Sequence, residues 1–235
     1  MSSEKITAIH QPNFLPWLGY FYKIAHCNTF VLLDNVDFQQ GNHNSITNRT
    51  KIKLGNEEKF ITIPVKKNSE SKLIKDIKID KQKLGFKKNL KSIQFNYSKA
   101  PFFKEVFPIV ENLFFLSEEL ENLSEANEKG IKTISNLLKI TTPIINASTL
   151  SIKSEDRNDR IIQICKCTNS QIYLSGSGGK KYHDESLFYN QGIKIKYTGF
   201  TAKPYRQITE PFIPGLSVID VLMNCGINET INMLK

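Results

Sequence analysis

Ile9-His10-Gln11-Pro12-Asn13-Phe14-Leu15-Pro16-Trp17-Leu18-Gly19-Tyr20 separates two apolar runs. Before it, Lys5 to Ile9 reads as a strand. After it, Pro16 to Cys27 reads as a helix and Thr29 to Leu33 as a second strand ending at Asp34. Pro16 suits a first helical turn, where its missing N–H would be unpaired anyway. The stretch is therefore a strand-to-helix turn in a strand-helix-strand unit of the doubly wound kind. Ligands bind such sheets beyond the carboxyl ends of the strands. The turn carries His10, Gln11, Asn13 and the chain's only tryptophan, Trp17, which makes it a candidate site.

Outward from this unit, Gln39 to Thr47 is a polar loop. Asn48 to Leu54 and Lys59 to Val65 form a hairpin turning at Gly55-Asn56. Ile74 to Ile79 alternates like a strand. Lys81 to Phe95, Phe102 to Phe115 and Ser117 to Leu138 have helical spacing. The strand-helix pattern then returns. Ile144 to Asn146, Gln171 to Leu174 and Ile193 to Tyr197 are strands. Ser154 to Thr168 is a helix with Ser154 as N-cap, and Asp184 to Asn190 is a short helix. Ser217 to Asp220 is a capping box opening a helix to about Asn224, with Gly226 beyond it. The expected fold is α/β: one domain, a Rossmann-like parallel sheet with a helical and β-hairpin insertion at about residues 38–141.

The 235 residues are 40% hydrophobic and 23% charged, an ordinary globular composition. No run approaches the roughly 18 to 20 apolar residues of a membrane span. Met1 to Lys5 lacks a basic region followed by an apolar core, so no secretory leader is expected. The four cysteines, Cys27, Cys165, Cys167 and Cys225, fit no zinc or disulfide framework. A reduced cytoplasmic protein with cysteines as core filler is expected. The net charge of +9 and pI near 9.3 favour anionic partners such as nucleotides, nucleotide-sugars, RNA or an acidic membrane surface. The densest basic run, Lys72 to Lys99, has no RNA-binding interleaving of aromatic residues and reads as a solvated helix face.

His10, at a strand end, suits a contact to phosphate or a proton in transit, or else is satisfied by local backbone. Gln11 and Asn13 could bind a base, sugar or amide, or cap the turn. Trp17 and Tyr20 offer a stacking wall or fill the core. Asp34-Asn35-X-Asp37 follows strand two, where a carboxylate can orient a histidine or bind ribose; two Asp are too few for a metal cage. Asn48, Arg49 and Lys51 follow, with Arg49 and Lys51 on one strand face as an anion clamp. Ser175-Gly176-Ser177-Gly178-Gly179-Lys180-Lys181-Tyr182 matches neither GxxxxGK[ST] nor GxGxxG. Its glycines at Gly176, Gly178 and Gly179 still allow backbone N–H groups to approach a phosphate beside Ser175. No His or Asp spacing supports a covalent triad at Ser175 or Ser177. Tyr205 and Gln207 read as exposed-loop contacts to substrate, and Asp220 as a helix N-terminal acid.

The stretch His10 to Tyr20 resembles the opening signature of the WbqC-like protein family. The match continues through Leu33 to Phe38, Asn48-Arg49, Pro64-Val65, Tyr173 to Gly176, Tyr182, Tyr205 and Phe212 to Leu222. Phe14 stands where the family pattern has Tyr, which removes a phenol from the turn. The resemblance implies work in O-antigen, lipopolysaccharide or other surface-polysaccharide biosynthesis, and a glycine transferase activity. A second resemblance concerns fold alone. The opening unit is similar to that of nucleotidyltransferase-type domains such as pantothenate synthetase, although the His-X-Gly-His pair is missing, so ATP use remains an analogy.

The expected function is transfer of an acyl or aminoacyl group, such as glycyl, to an amino sugar. The catalytic residues would be His10 and Asp34. Substrate contacts would come from Gln11, Asn13, Trp17, Asn48, Arg49, Lys51, Tyr182 and Tyr205, and phosphate contacts from the Ser175 to Gly179 turn. The donor could be an adenylate (ATP-derived), a thioester or an aminoacyl-tRNA. The alternative is a non-catalytic nucleotide-sugar or RNA binding protein of the same pathway.

Overall fold

The computed structural model describes residues 4–39, 45–67, 71–83 and 85–235. Gln40 to Asn44 of the expected polar loop lie outside them. Five strands, β1 (Ile6–His10), β2 (Thr29–Leu32), β5 (Ile144–Asn146), β6 (Ile172–Ser175) and β7 (Lys194–Tyr197), form one sheet. The hairpin strands β3 (Arg49–Leu54) and β4 (Glu57–Thr62) pair antiparallel with each other. The five-stranded sheet has the order β5-β2-β1-β6-β7, and every pairing is parallel. This is a Rossmann-like α/β fold. Parallel strands need crossover connections, which lay helices on both faces, so β1, β2 and β6 are near-continuously apolar and buried.

The connection between β2 and β5 carries the hairpin and three helices, α2 (Gly85–Tyr97), α3 (Phe103–Glu119) and α4 (Leu123–Leu137). Their apolar faces merge with that of α1 (Leu18–Ala25) in one core holding Phe21, Ile24, Phe30, Ile52, Ile93, Val106 and Ile131. A second core lies on the other side of the sheet. There α5 (Arg157–Cys167) and α6 (Glu185–Tyr189) pack Ile161, Cys165 and Phe188 onto Ile9, Val31 and Tyr173.

Several local expectations change. Ile74 to Ile79 is not a strand: Ile74–Asp76 is a 3-10 turn, and Ile79 makes only an isolated bridge to Val65. Its alternation reflects Ile74, Ile77 and Ile79 dipping in turn into the core. The third insertion helix starts at Leu123, where Asn122 Oδ1 accepts from the N–H groups of Ser124 and Glu125. Asp156, rather than Ser154, caps α5 by accepting from Asp159 N–H. In α1 the cap is Trp17, whose extended backbone bridges to Ser217, so Pro16 stays outside the helix.

The last helix, α7 (Val218–Asn232), breaks at Gly226, which has φ 77° and ψ 171°. A Cβ there would lie 2.6 Å from the Phe102 ring. Replacing Gly226 with Ala adds backbone strain to that clash, and the expected loss is about 2–5 kcal/mol of unfolding free energy. Chemical denaturation of Gly226→Ala beside the parent protein measures it.

Candidate functional site

Counted along the chain, the sheet runs 3-2-1-4-5, so strand order reverses between β1 and β6. At such a switch point the two following connections leave toward opposite faces and open a crevice. A cavity of about 500 Å3 lies there, within the range of small-ligand sites. His10 and Gln11 border it from β1, and Ser175, Gly176, Gly178 and Gly179 from β6 and its turn. These residues of the sequence reading come together. So do Lys23, Arg157, Arg160 and His183, which it missed.

His10 is turned by its neighbours. Its Nδ1 lies 3.2 Å from the Gln11 carbonyl, which requires an N–H there, and its ring packs edge-on against Tyr20 with centroids 4.9 Å apart. Burial, with the charge of Lys23 adding to it, pushes the imidazole down to about 3. His10 is therefore neutral near pH 7. Asn13, 1% exposed, sits behind it with Nδ2 3.5 Å from His10 Nδ1 and Oδ1 unpartnered among the described residues.

Across the crevice, Ser175 Oγ and His183 Nε2 are 3.0 Å apart. Spacing alone offered Ser175 no such partner; the Gly176–Tyr182 turn folds back to supply it. Gly179 makes this close approach feasible, since a Cβ there would lie 2.3 Å from Ser175 Oγ. Burial first, and then the Arg157 charge, lowers the His183 imidazole, so it too favours the neutral form. Its Nδ1 is buried and has no hydrogen-bond partner among the described residues.

Lys23 enters from α1. It is 4% exposed, and its Nζ donates to the Ile9 carbonyl at 2.7 Å. Burial pushes its ammonium down to about 8. One signal was visible in the sequence: Lys23 lies three residues from Tyr20 on the apolar stripe of a helix, where a lysine is costly unless it has a task.

Residues 11–232 match the model of the WbqC-like protein family. The chain belongs to that family. It is similar to the uncharacterized protein Rv1507c of Mycobacterium tuberculosis, with 29% identity over 224 residues, 94% of each chain. No solved structure matches it.

Much of the WbqC-like signature proves to be a buried junction. The Pro12 carbonyl accepts from Asn127 Nδ2 (2.8 Å), and the Leu15 carbonyl from Thr50 Oγ1 (2.9 Å) and Ser217 Oγ (2.7 Å). The Pro16 carbonyl takes the Val218 N–H (2.9 Å). Trp17 and Tyr205 line a different cavity of about 400 Å3, together with Tyr22 and Phe200.

Asp34 is buried and accepts from Ser148 N–H (2.8 Å) and Ser148 Oγ (2.5 Å), which anchors the turn after β5. Asn48 Nδ2 donates to the Ile63 carbonyl. Arg49 lies over the Phe60 ring at 4.2 Å and donates from Nε to Ser45, while Lys51 pairs with Glu58 at 2.6 Å. These four side chains thus serve the turn and the hairpin, and none borders the crevice. Tyr182 stays 61% exposed beside it, with the Arg157 guanidinium 5.0 Å from its ring. The expected exposure of Gln207 is overturned. Gln207 and Tyr205 both bond Asp220, as does Tyr97, and Lys53 donates to Gln207, Thr209 and Pro211. Asp220 is wholly buried, and desolvation raises its carboxyl even against these donors. The polar pattern at 205–220 is a structural network that the sequence presents as a loop motif.

The depressed His10 carries a stability consequence. Folding holds it near 3 whereas the unfolded chain binds a proton near 6.5, so the unfolded state holds more protons between those values. Stability attributable to His10 is therefore present above pH 6.5 and is lost as pH falls through that window. Guanidinium denaturation at pH 7 and pH 5.5 should show a smaller drop for His10→Gln than for the parent chain.

Proposed function

We propose that this WbqC-like chain is a transferase that works in the switch-point crevice, moving an acyl or aminoacyl group, such as glycyl, onto an amino sugar of surface-polysaccharide biosynthesis. The observation that carries this reading is the pair of neutral imidazoles, His10 and His183, bordering one cavity that also holds the Lys23 amine. When an amine becomes an amide, its nitrogen loses a proton and the donor's leaving group gains one. A neutral imidazole performs that exchange at physiological pH. His10, held near 3, is too weakly basic for proton uptake and is better suited to hold a ligand through Nε2. His183, hydrogen-bonded to Ser175, takes the base role. Cytoplasmic location fits an activated donor such as an acyl-adenylate, thioester or aminoacyl-tRNA. None of the helices among the described residues is long and apolar enough to cross a membrane.

One observation favours a second reading, a nucleotide-sugar or RNA binding protein without turnover. Among the described residues His183 Nδ1 has no partner, so none of their carboxylates orients its ring as in acid-base triads.

Purified chain incubated with nucleotide-linked amino sugars, glycine and ATP, or with acyl thioesters, separates the two. Mass spectrometry is expected to find the N-acylated sugar, with turnover falling about 100-fold or more in His183→Gln. Binding of the sugar nucleotide with no product from any donor would establish the second reading. The pH profile should fall on its acid side where His183 protonates, below the ordinary histidine range because burial holds its imidazole down. The basic side should fall above about 8, where Lys23 loses its charge.

A further inference from the structure

Lys23 is a buried cation without a counter-ion among the described residues. Of its three N–H groups, one is used by the Ile9 carbonyl. Among the described residues it joins no ion pair with a carboxylate. Taking an ammonium out of water costs free energy that one backbone carbonyl does not recover. A lysine that merely filled this space would be replaced to advantage by methionine, which has similar length and no charge. The remainder of the crevice adds to the imbalance. Arg157 and Arg160 border the same cavity, and among the described residues Asp37 is the one acidic side chain along its wall. The Arg160 guanidinium is tied to the Ser154 and Glu155 carbonyls, neutral partners that leave its charge uncompensated. Ser175 and the two imidazoles supply neutral hydrogen-bonding groups beside these cations.

We propose that Lys23 anchors a phosphoryl group, and that the crevice takes a diphosphate-bearing ligand. Three cations facing one carboxylate suit a multiply charged group better than a single carboxylate, and charge-assisted bonds to phosphate oxygens are the strong ones. Arg157, at the rim, provides the planar fork for the outer oxygens, and Lys23 the point charge at the bottom. This deepens the reading of the crevice as the transferase's ligand site, and it is tested without turnover so that the two can fail separately.

Pyrophosphate is the probe, with glycine and acetate as carboxylate probes, at low salt with the full chain. Calorimetric titration is expected to show pyrophosphate binding that weakens at least tenfold in Lys23→Met and stays unchanged in Lys87→Met, on the exposed face of α2. Lys23→Met is also expected to melt at or above the parent temperature in the absence of ligand, because a buried charge has gone. Lys23 would instead be a structural cap of the Ile9 carbonyl if Lys23→Met melted lower and kept its pyrophosphate affinity within twofold. Wild-type chain that ignores pyrophosphate overturns the proposal outright. Should Lys23→Met not fold, acetylation of the wild-type chain by acetic anhydride, mapped by peptide mass spectrometry, decides. Pyrophosphate should protect Lys23 several-fold. Equal labelling, or equal protection by acetate, rejects the phosphoryl assignment.

Discussion

The stretch Pro12 to Pro16 is irregular and buried, and its Pro12, Leu15 and Pro16 carbonyls are bonded within the protein. Each must find a donor, because an unpaired buried carbonyl costs about 1–3 kcal/mol. The donors come from elements far apart in sequence: Asn127 of α4, Thr50 of β3, and Ser217 and Val218 at the start of α7. Tyr20 of α1 donates to the Gln11 carbonyl beside them. One five-residue bend therefore sets where the hairpin, the helical insertion and the last helix meet the sheet. It also fixes the exit direction of the chain from β1, and hence the opening of the crevice beside His10.

Short-range signals explain what was legible. The parallel sheet followed from apolar runs alternating with helical spacing, and the hairpin from Gly55-Asn56 between alternating strands. The 3-10 turn at Ile74 was hidden because a turn dipping every second or third residue into a core mimics a strand. Tyr205 and Gln207 looked like site residues, and Asp220 like a helix N-terminal acid, because their mutual satisfaction with Tyr97 and Lys53 depends on contacts across more than a hundred positions. Part of the WbqC-like signature lies in the same class: its Pro12, Leu15 and Pro16 carbonyls are bonded by residues distant in sequence.

In the crevice, His10, Ser175 and the glycines were readable from their place at strand ends, where backbone direction alone brings them to the ligand side. Lys23, Arg157 and His183 were not, since each reaches the site from a helix or from the far end of a turn. Their joint effect is also invisible in a sequence. Burial does most to keep His10 and His183 uncharged; the charge of Lys23 adds to it at both, and that of Arg157 at His183. A cationic site thus preserves neutral bases inside it.

The contact between Ser217 and Leu15 spans 202 positions. During synthesis the bend after β1 emerges early, yet its carbonyls lack their final donors until α7 has left the ribosome. The earlier segments must wait in a partly satisfied state in which the apolar edge of β1, awaiting β6, lies uncovered. High sequence separation of this kind slows folding and lengthens exposure to aggregation. The bend that shapes the crevice thus acquires its full set of donors only when residues 217 and 218 have joined the fold.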